Sequence, residues 1–185
     1  MNPTNENAPT DTIRLCDADD VSTILRIINL AAEAYRGVIP PDRWHEPYMP
    51  LGELQSEMAE GVAFSGFAVQ DELVGVMGIQ HVKNVRLIRH AYVLPEWQGH
   101  GVGSRLIAHL RGADETPVLI GTWAAANWAI RFYQRHGFEL VPEAATGPLL
   151  KTYWHVPERQ IATSVVLALP ALSEGGAARL MAEIA

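Results

Sequence analysis

The chain has 185 residues, 48% hydrophobic and 19% charged, enough to bury one core and ordinary for a globular domain. No apolar run is long enough to span a bilayer, which excludes membrane insertion. Acidic residues outnumber basic ones 21 to 14, for a net charge of −7; this argues against nucleic acid, whose binding rests on many Lys and Arg contacts to phosphates, but not against a small anion held by backbone amides.

The opening residues, MNPTNENAPTD, are polar and lack the basic and apolar segments of a secretory signal, so residues 1–11 are expected to form a disordered tail and the compartment is expected to be cytoplasmic. TIRLC at 12–16 alternates as a strand. Its Cys16 is the single cysteine, cannot form an internal disulfide, and reads as a buried inert thiol in an apolar run. Asp17 is a candidate N-cap for a helix whose apolar stripe is Val21, Ile24, Leu25, Ile28, Ala31 and Ala32, and Gly37 ends it. The loop VIPPDRWHEPYMP carries much aromatic surface and leads to a second short helix, LGELQSEMAEG. AFSGFAVQ, LVGVMGIQHVK and VRLIRHAYVLP then read as three strands with short connections, an antiparallel meander. In the third, Arg89 and His90 interrupt an apolar run where unpaired charge is expensive, and strand alternation sends them to opposite faces.

WQGHGVGS at 97–104 leads from this strand into a helix, GSRLIAHLRG. PVLIGTW follows as a strand covered on both faces, and AANWAIRFYQRHGF as a helix closed by Gly137. Strand, helix, strand at this spacing implies parallel pairing through a right-handed crossover, hence a mixed sheet. FELV, PLLKTYWHV and TSVVLALP read as further strands, and LSEGGAARLMAEIA as a small helix or a frayed end. A single domain over 12–169 with a C-terminal extension at 170–185 is the expected organisation. An apolar strand near the C-terminus, if left at a sheet edge, would favour a homodimer.

Alternating glycines cost backbone entropy, and a chain keeps them where amides approach something closely, as at an anion held by a helix N-terminus. A nucleoside-triphosphate loop would need a lysine where Gly103 is followed by Ser104 and Arg105, so that reading fails. Gly99, Gly101 and Gly103 are wrongly spaced for a dinucleotide fingerprint, and a plain connecting turn remains open. The segment resembles the pyrophosphate loop of the GNAT-type N-acetyltransferase superfamily, with Gln98, Gly101 and Gly103 in the matching places. NWAIRFYQRHGF is similar to that superfamily's next motif through Asn127, Ala129, Phe132, Tyr133, Gly137 and Phe138. The resemblance covers roughly residues 12–155.

This resemblance implies a mixed, mostly antiparallel central sheet flanked by helices, the α/β (α+β) acyl-CoA N-acyltransferase (GNAT) fold. It implies acetyl-CoA as cosubstrate, no metal, and direct transfer of the acetyl group to a primary amine of a small molecule or peptide. Amides of Gly99, His100, Gly101, Val102, Gly103 and Ser104, with Gln98, would grip the pyrophosphate; the Val93 N–H would face the developing oxyanion. Tyr133 would protonate the departing thiolate, its alternative being a core aromatic, and Asn127 would hold the cofactor or else cap its helix. The glutamate many members carry on the fourth strand is Leu87 here. The proton acceptor is therefore open: the amine binds neutral, or water relays its proton to His81, His90, Glu33 or His45, of which His90 is the candidate carried forward. Tyr35, Trp44 and His45, with Arg36, Glu46 and Tyr48, would wall the acceptor side. A non-catalytic acyl-CoA sensor of the same fold is the alternative; an RNA-modifying enzyme would want a basic groove that this acidic chain lacks.

Overall fold

The computed structural model describes residues 11–112, 115–154 and 156–184. The tail expected over 1–11 lies outside them except for Asp11, which opens the first strand. Short apolar segments alternating with turn residues build seven strands: β1 (Asp11–Leu15), β2 (Ala63–Val69), β3 (Glu72–Val82), β4 (Val85–Val93), β5 (Val118–Trp123), β6 (Glu139–Leu140) and β7 (Ser164–Leu169). They form one sheet in the order β1-β2-β3-β4-β5-β7-β6. Every pairing is antiparallel except β4 with β5. The result is a mixed, mostly antiparallel central sheet flanked by helices, as expected.

Helix α1 (Val21–Ala32) buries Ile24, Ile27, Ile28, Ala31 and Ala32 against β3 and β4. Asp17 caps a short 3-10 turn ahead of α1 instead of α1 itself, accepting from the Asp19 N–H. Helix α2 (Leu51–Ala59) anchors through Leu54. Helix α3 (Val102–Arg111) packs Leu106 and Ile107 onto the meander, and α4 (Asn127–Arg135) buries Tyr133. A second apolar cluster joins α5 (Glu143–Tyr153) and α7 (Glu174–Ala182) to β7 through Leu149, Leu150, Val166 and Leu180. Helix α6 (Glu158–Ile161) is one turn.

Three expectations are corrected. The strand read into PLLKTYWHV is the C-terminal half of α5: Ala145, Thr146, Leu149, Leu150 and Tyr153 are buried at helical spacing, and the helix accommodates Pro148 inside it. A proline there forfeits a helical hydrogen bond, about 3 kcal/mol, and the buried stripe opposes that loss. TSVVLALP is a strand but not an edge; β7 lies between β5 and β6, so the bare-edge argument for a homodimer does not hold. Finally, β4 does not alternate through its middle. Val76 faces Tyr92 and Gly78 faces Arg89, so two residues of β4, His90 and Ala91, oppose one of β3 in a bulge. His90 takes φ of +50° there.

Candidate active site

Parallel pairing of β4 with β5 runs only from Arg86–Val118 to Ile88–Ile120. Beyond it the strands part, β5 continuing against β7 as far as Trp123. The Leu94 N–H donates to the Val74 carbonyl on β3 at 2.9 Å. By strand alternation the Val93 N–H and C=O therefore face the other way, into the gap. The Gln98 side chain reaches the same carbonyl, its Nε2 donating at 3.1 Å.

The glycine loop closes one end of this gap. Gly99 and Gly101 both have φ of +80°, and Gly101 precedes the first residue of α3. Among the described residues, the N–H groups of Gly101, Val102, Gly103 and Ser104 have no acceptor in the chain. A helix N-terminus with bare amides favours an anion. A Cβ at Gly99 or Gly101 would meet nothing within 4 Å, whereas one at Gly103 would come within 3.3 Å of the Phe132 ring. Space for a ligand thus lies over the loop, with Phe132 as its wall. Ser104 Oγ lies 3.1 Å from His136 Nε2.

A cavity of about 630 Å³ follows this gap. Val93, Gln98, Gly99, Gly101, Val102, Gly103 and Ser104 line it, as do Tyr35 and Tyr133. His100 does not; it is exposed, its Nδ1 3.1 Å from the Gln98 carbonyl and its ring against Trp97. Asn127 does not line it either. It is the first residue of α4, exposed, and the helix cap is Ala126, so neither expected role is built into its present contacts. Arg105, the residue after Ser104, is engaged with Asp11 at 2.9 Å and over the Phe67 ring.

A smaller cavity of about 170 Å³ adjoins the first, and Tyr35, Ala91, Tyr92 and Tyr133 belong to both. Tyr133 is 7% exposed, and its hydroxyl has no hydrogen bond among the described residues. Burial, then the neighbouring Tyr35, raises its pKa well above the ordinary phenol value, so at neutral pH it is a proton donor. Burial likewise pushes Tyr35 up to about 12. His90 and Arg89 line the smaller cavity. The other sequence-predicted acceptors of the proton do not: His81 and His45 are exposed, and Glu33 is bound to Arg36 at 2.7 Å.

Trp44 and His45 line neither cavity. They stand behind Tyr48, whose ring is 5.5 Å from Trp44 and 6.2 Å from His45, and Tyr48 is the residue of that loop that faces the smaller cavity. Of the residues expected on the acceptor side, Tyr35 and Tyr48 line the smaller cavity, together with Tyr92, and Trp128 is tilted onto Tyr35 at 5.4 Å. Tyr92 and Trp128 carry no motif that marks them for this.

Glu57 is the feature that sequence reasoning missed. It comes from α2, and its two carboxylate oxygens take Arg89 and His90: Oε1 accepts from Arg89 Nη2 at 2.7 Å, and Oε2 pairs with His90 Nε2. Adjacent strand residues reach one carboxylate because the bulge abolishes their alternation. Burial raises the Glu57 pKa, but the His90 hydrogen bond and the charges of His90 and Arg89 outweigh it and hold the group below its ordinary value. Among the described residues no three His, Cys, Asp or Glu side chains gather as a metal site, and no helix is long and apolar enough to cross a membrane.

Residues 62–140 match the sequence model of the Acetyltransferase (GNAT) domain. No curated protein matches the chain. Among solved structures it is similar to the PaiA N-acetyltransferase of Thermoplasma acidophilum in complex with coenzyme A, at 14% identity and a TM-score of 0.64, over 86% of this chain and 98% of that one. It is also similar to the ribosomal-protein-S18-alanine N-acetyltransferase of Escherichia coli, at 16% identity and a TM-score of 0.58, over 86% and 92%. Against N-acetylglutamate synthase of Neisseria gonorrhoeae, complexed with coenzyme A and L-arginine, identity is 20% and the TM-score 0.54, over 87% of this chain and 33% of that one.

Proposed function

We propose, from the match of residues 62–140 to the GNAT acetyltransferase domain model and from the fold, an acetyl-CoA-dependent N-acetyltransferase that moves the acetyl group directly to a primary amine of a small molecule or peptide. The observation that carries this reading is the row of unpartnered amides from Gly101 to Ser104 at the end of the gap between β4 and β5. Those amides suit a diphosphate, and the open space over Gly99 and Gly101 admits one.

Coenzyme A supplies the acetyl thioester; the chain orients it and moves protons. The loop holds the diphosphate end, and the backbone around Val93 holds the arm, with the Val93 N–H directed at the oxygen that gains charge during transfer. Tyr133, shared by the two cavities, gives its proton to the departing sulfur. Burial disfavours a phenolate, yet it disfavours a free thiolate beside it in the same way, so the transfer is not opposed by the low polarity of the site. Cys16 lines neither cavity, which favours transfer in a ternary complex over an acyl-enzyme. The smaller cavity, aromatic and about 170 Å³, suits a small primary amine or the end of a peptide. A cytoplasmic enzyme is consistent with this chemistry, as acetyl-CoA is an intracellular metabolite.

One observation favours the rival, an acyl-CoA sensor without turnover. The strand position at which many members carry glutamate is Leu87, fully buried. Calorimetry with coenzyme A and thiol release from acetyl-CoA over a panel of primary amines separate the two. The enzyme reading expects binding and amine-dependent release, with Tyr133→Phe retaining affinity while turnover falls about 10²-fold. Binding without release on any amine would favour the sensor. Absence of binding would sink both.

A further inference from the structure

We propose that Glu57 and His90 form a carboxylate–imidazole pair in which Glu57 positions His90 to accept the proton of the acceptor amine. The inference rests on the transferase reading and assigns the proton acceptor that the loss of the strand-four glutamate leaves open.

Three observations carry it. First, the β4 bulge holds His90 at φ of +50°, a region uncommon for residues other than glycine. Residues kept in such conformations need support from their surroundings. Second, that support is specific. Glu57 binds the His90 Nε2 with one oxygen and Arg89 with the other; Arg89 Nη1 donates to Gln80 Oε1 at 2.9 Å, and Gln80 Nε2 donates to the Glu60 carbonyl at 3.1 Å. The Phe64 ring stacks on the imidazole with centroids 5.9 Å apart. Third, His90 lines the smaller cavity together with Tyr133, while Glu57 does not.

Glu57 from α2 contacts His90 and also holds Arg89 of the same strand; Phe64 of β2 stacks on the imidazole, Gln80 of β3 is bound by Arg89, and the titratable groups that share the cavity with His90 are Tyr35, Tyr48, Tyr92 and Tyr133. With Nε2 committed to the carboxylate, the neutral ring carries its hydrogen there and leaves Nδ1, which has no partner among the described residues, as the lone-pair nitrogen. A buried carboxylate behind the imidazole fixes that tautomer and stabilises the imidazolium once formed. Arg89 shares the same carboxylate through its other oxygen. The ammonium of the acceptor loses one proton to Nδ1, and that proton later passes to solvent. The amine nitrogen then attacks the thioester carbon, the C–N bond forms as the C–S bond breaks, and the sulfur takes the Tyr133 proton. The second proton released by the acylated nitrogen restores the phenol.

The test is kcat/KM by thiol release between pH 5 and 9, at saturating acetyl-CoA, for wild type, Glu57→Gln, Glu57→Asp and His90→Gln, with thermal melts of each. The amine is the best of phenethylamine, spermidine, lysine and an alanine-initiated peptide. Wild type should rise with pH along one acid limb. His90→Gln should lose that limb and about 10²-fold in rate. Glu57→Gln removes the charge that favours the imidazolium, so its limb should move to lower pH and its plateau should fall; Glu57→Asp should restore the wild-type limb. A purely structural Glu57 would change the melt and the rate without moving the limb, and that result overturns the pair. So does a His90→Gln enzyme with wild-type rate and limb, while the transferase reading stands. If Glu57→Gln does not fold, a Glu57→Asp limb displaced from wild type overturns it. Coenzyme A binding without release by wild type overturns both readings.

Discussion

Two buried titratable side chains stand in different surroundings. Tyr133 and Cys16 are both buried and both pushed upward, Cys16 to about 11, mainly by burial and then by Asp20, with Arg14 opposing. Tyr133 meets two cavities, whereas Cys16 meets the β2 backbone, its sulfur 2.9 Å from where a Cβ on Gly66 would stand. A thiol whose pKa is about 11 is protonated until the pH approaches that value, and the thiolate is the reactive form. Native protein should therefore resist iodoacetamide at pH 7.5 and react only as the pH rises toward 11 or the chain unfolds, as read by mass spectrometry; rapid labelling of folded protein at pH 7.5 would contradict the assignment. The burial of Cys16 was legible because it needs only its local setting, an apolar run. Glu57 was not, because its partners lie on β4, across β2 and β3 in sequence, and nothing in LGELQSEMAEG marks that glutamate.

At the scale of elements, the entry into α3 joins a conformational demand to a binding one. Gly101 needs φ of +80° so that the chain turns into the helix with its first amides bare. Valine there would be strained by about 1–3 kcal/mol. Gly101→Val should therefore lower the melting temperature by several degrees, at about 2–4 °C per kcal/mol for a domain of this size, and weaken coenzyme A binding by calorimetry. Unchanged affinity with a lowered melt would mean that these amides do not hold the ligand. Strands β2 to β5 and helices α1 to α4 were readable from period and turn residues. Helix α5 was not: its five-residue buried stripe is interrupted by Pro148, and a short apolar run is ambiguous between strand and helix when a proline breaks the pattern. The β4 bulge was also hidden, since VRLIRHAYV shows no glycine or proline where the register slips.

For the whole molecule, the gap between β4 and β5 divides the sheet into a meander supported by α1 and α3 and a second part supported by α5 and α7. The two are joined there by only three paired positions on β4. A ligand filling the gap touches α3, α4 and β4 at once, so its binding free energy adds to global stability by mass action. Coenzyme A at about a hundred times its dissociation constant should add about 2.7 kcal/mol, or some 5–10 °C in the melt. No shift at that dose would mean that nothing of this kind binds. The sequence by itself determined the order of the elements, the mixed sheet, the glycine turn into α3 and the tyrosine of α4, because hydrophobic period, turn chemistry and short motifs are local properties of the chain. Only the tertiary structure decided where along the chain β4 and β5 part, just beyond Ile88, that Tyr48 rather than Trp44 or His45 reaches the cavity, and that Glu57 meets Arg89 and His90 on one carboxylate. These are contacts between segments distant in the chain, set by packing and by a one-residue slip in register, and neither leaves a periodic trace in the order of the amino acids.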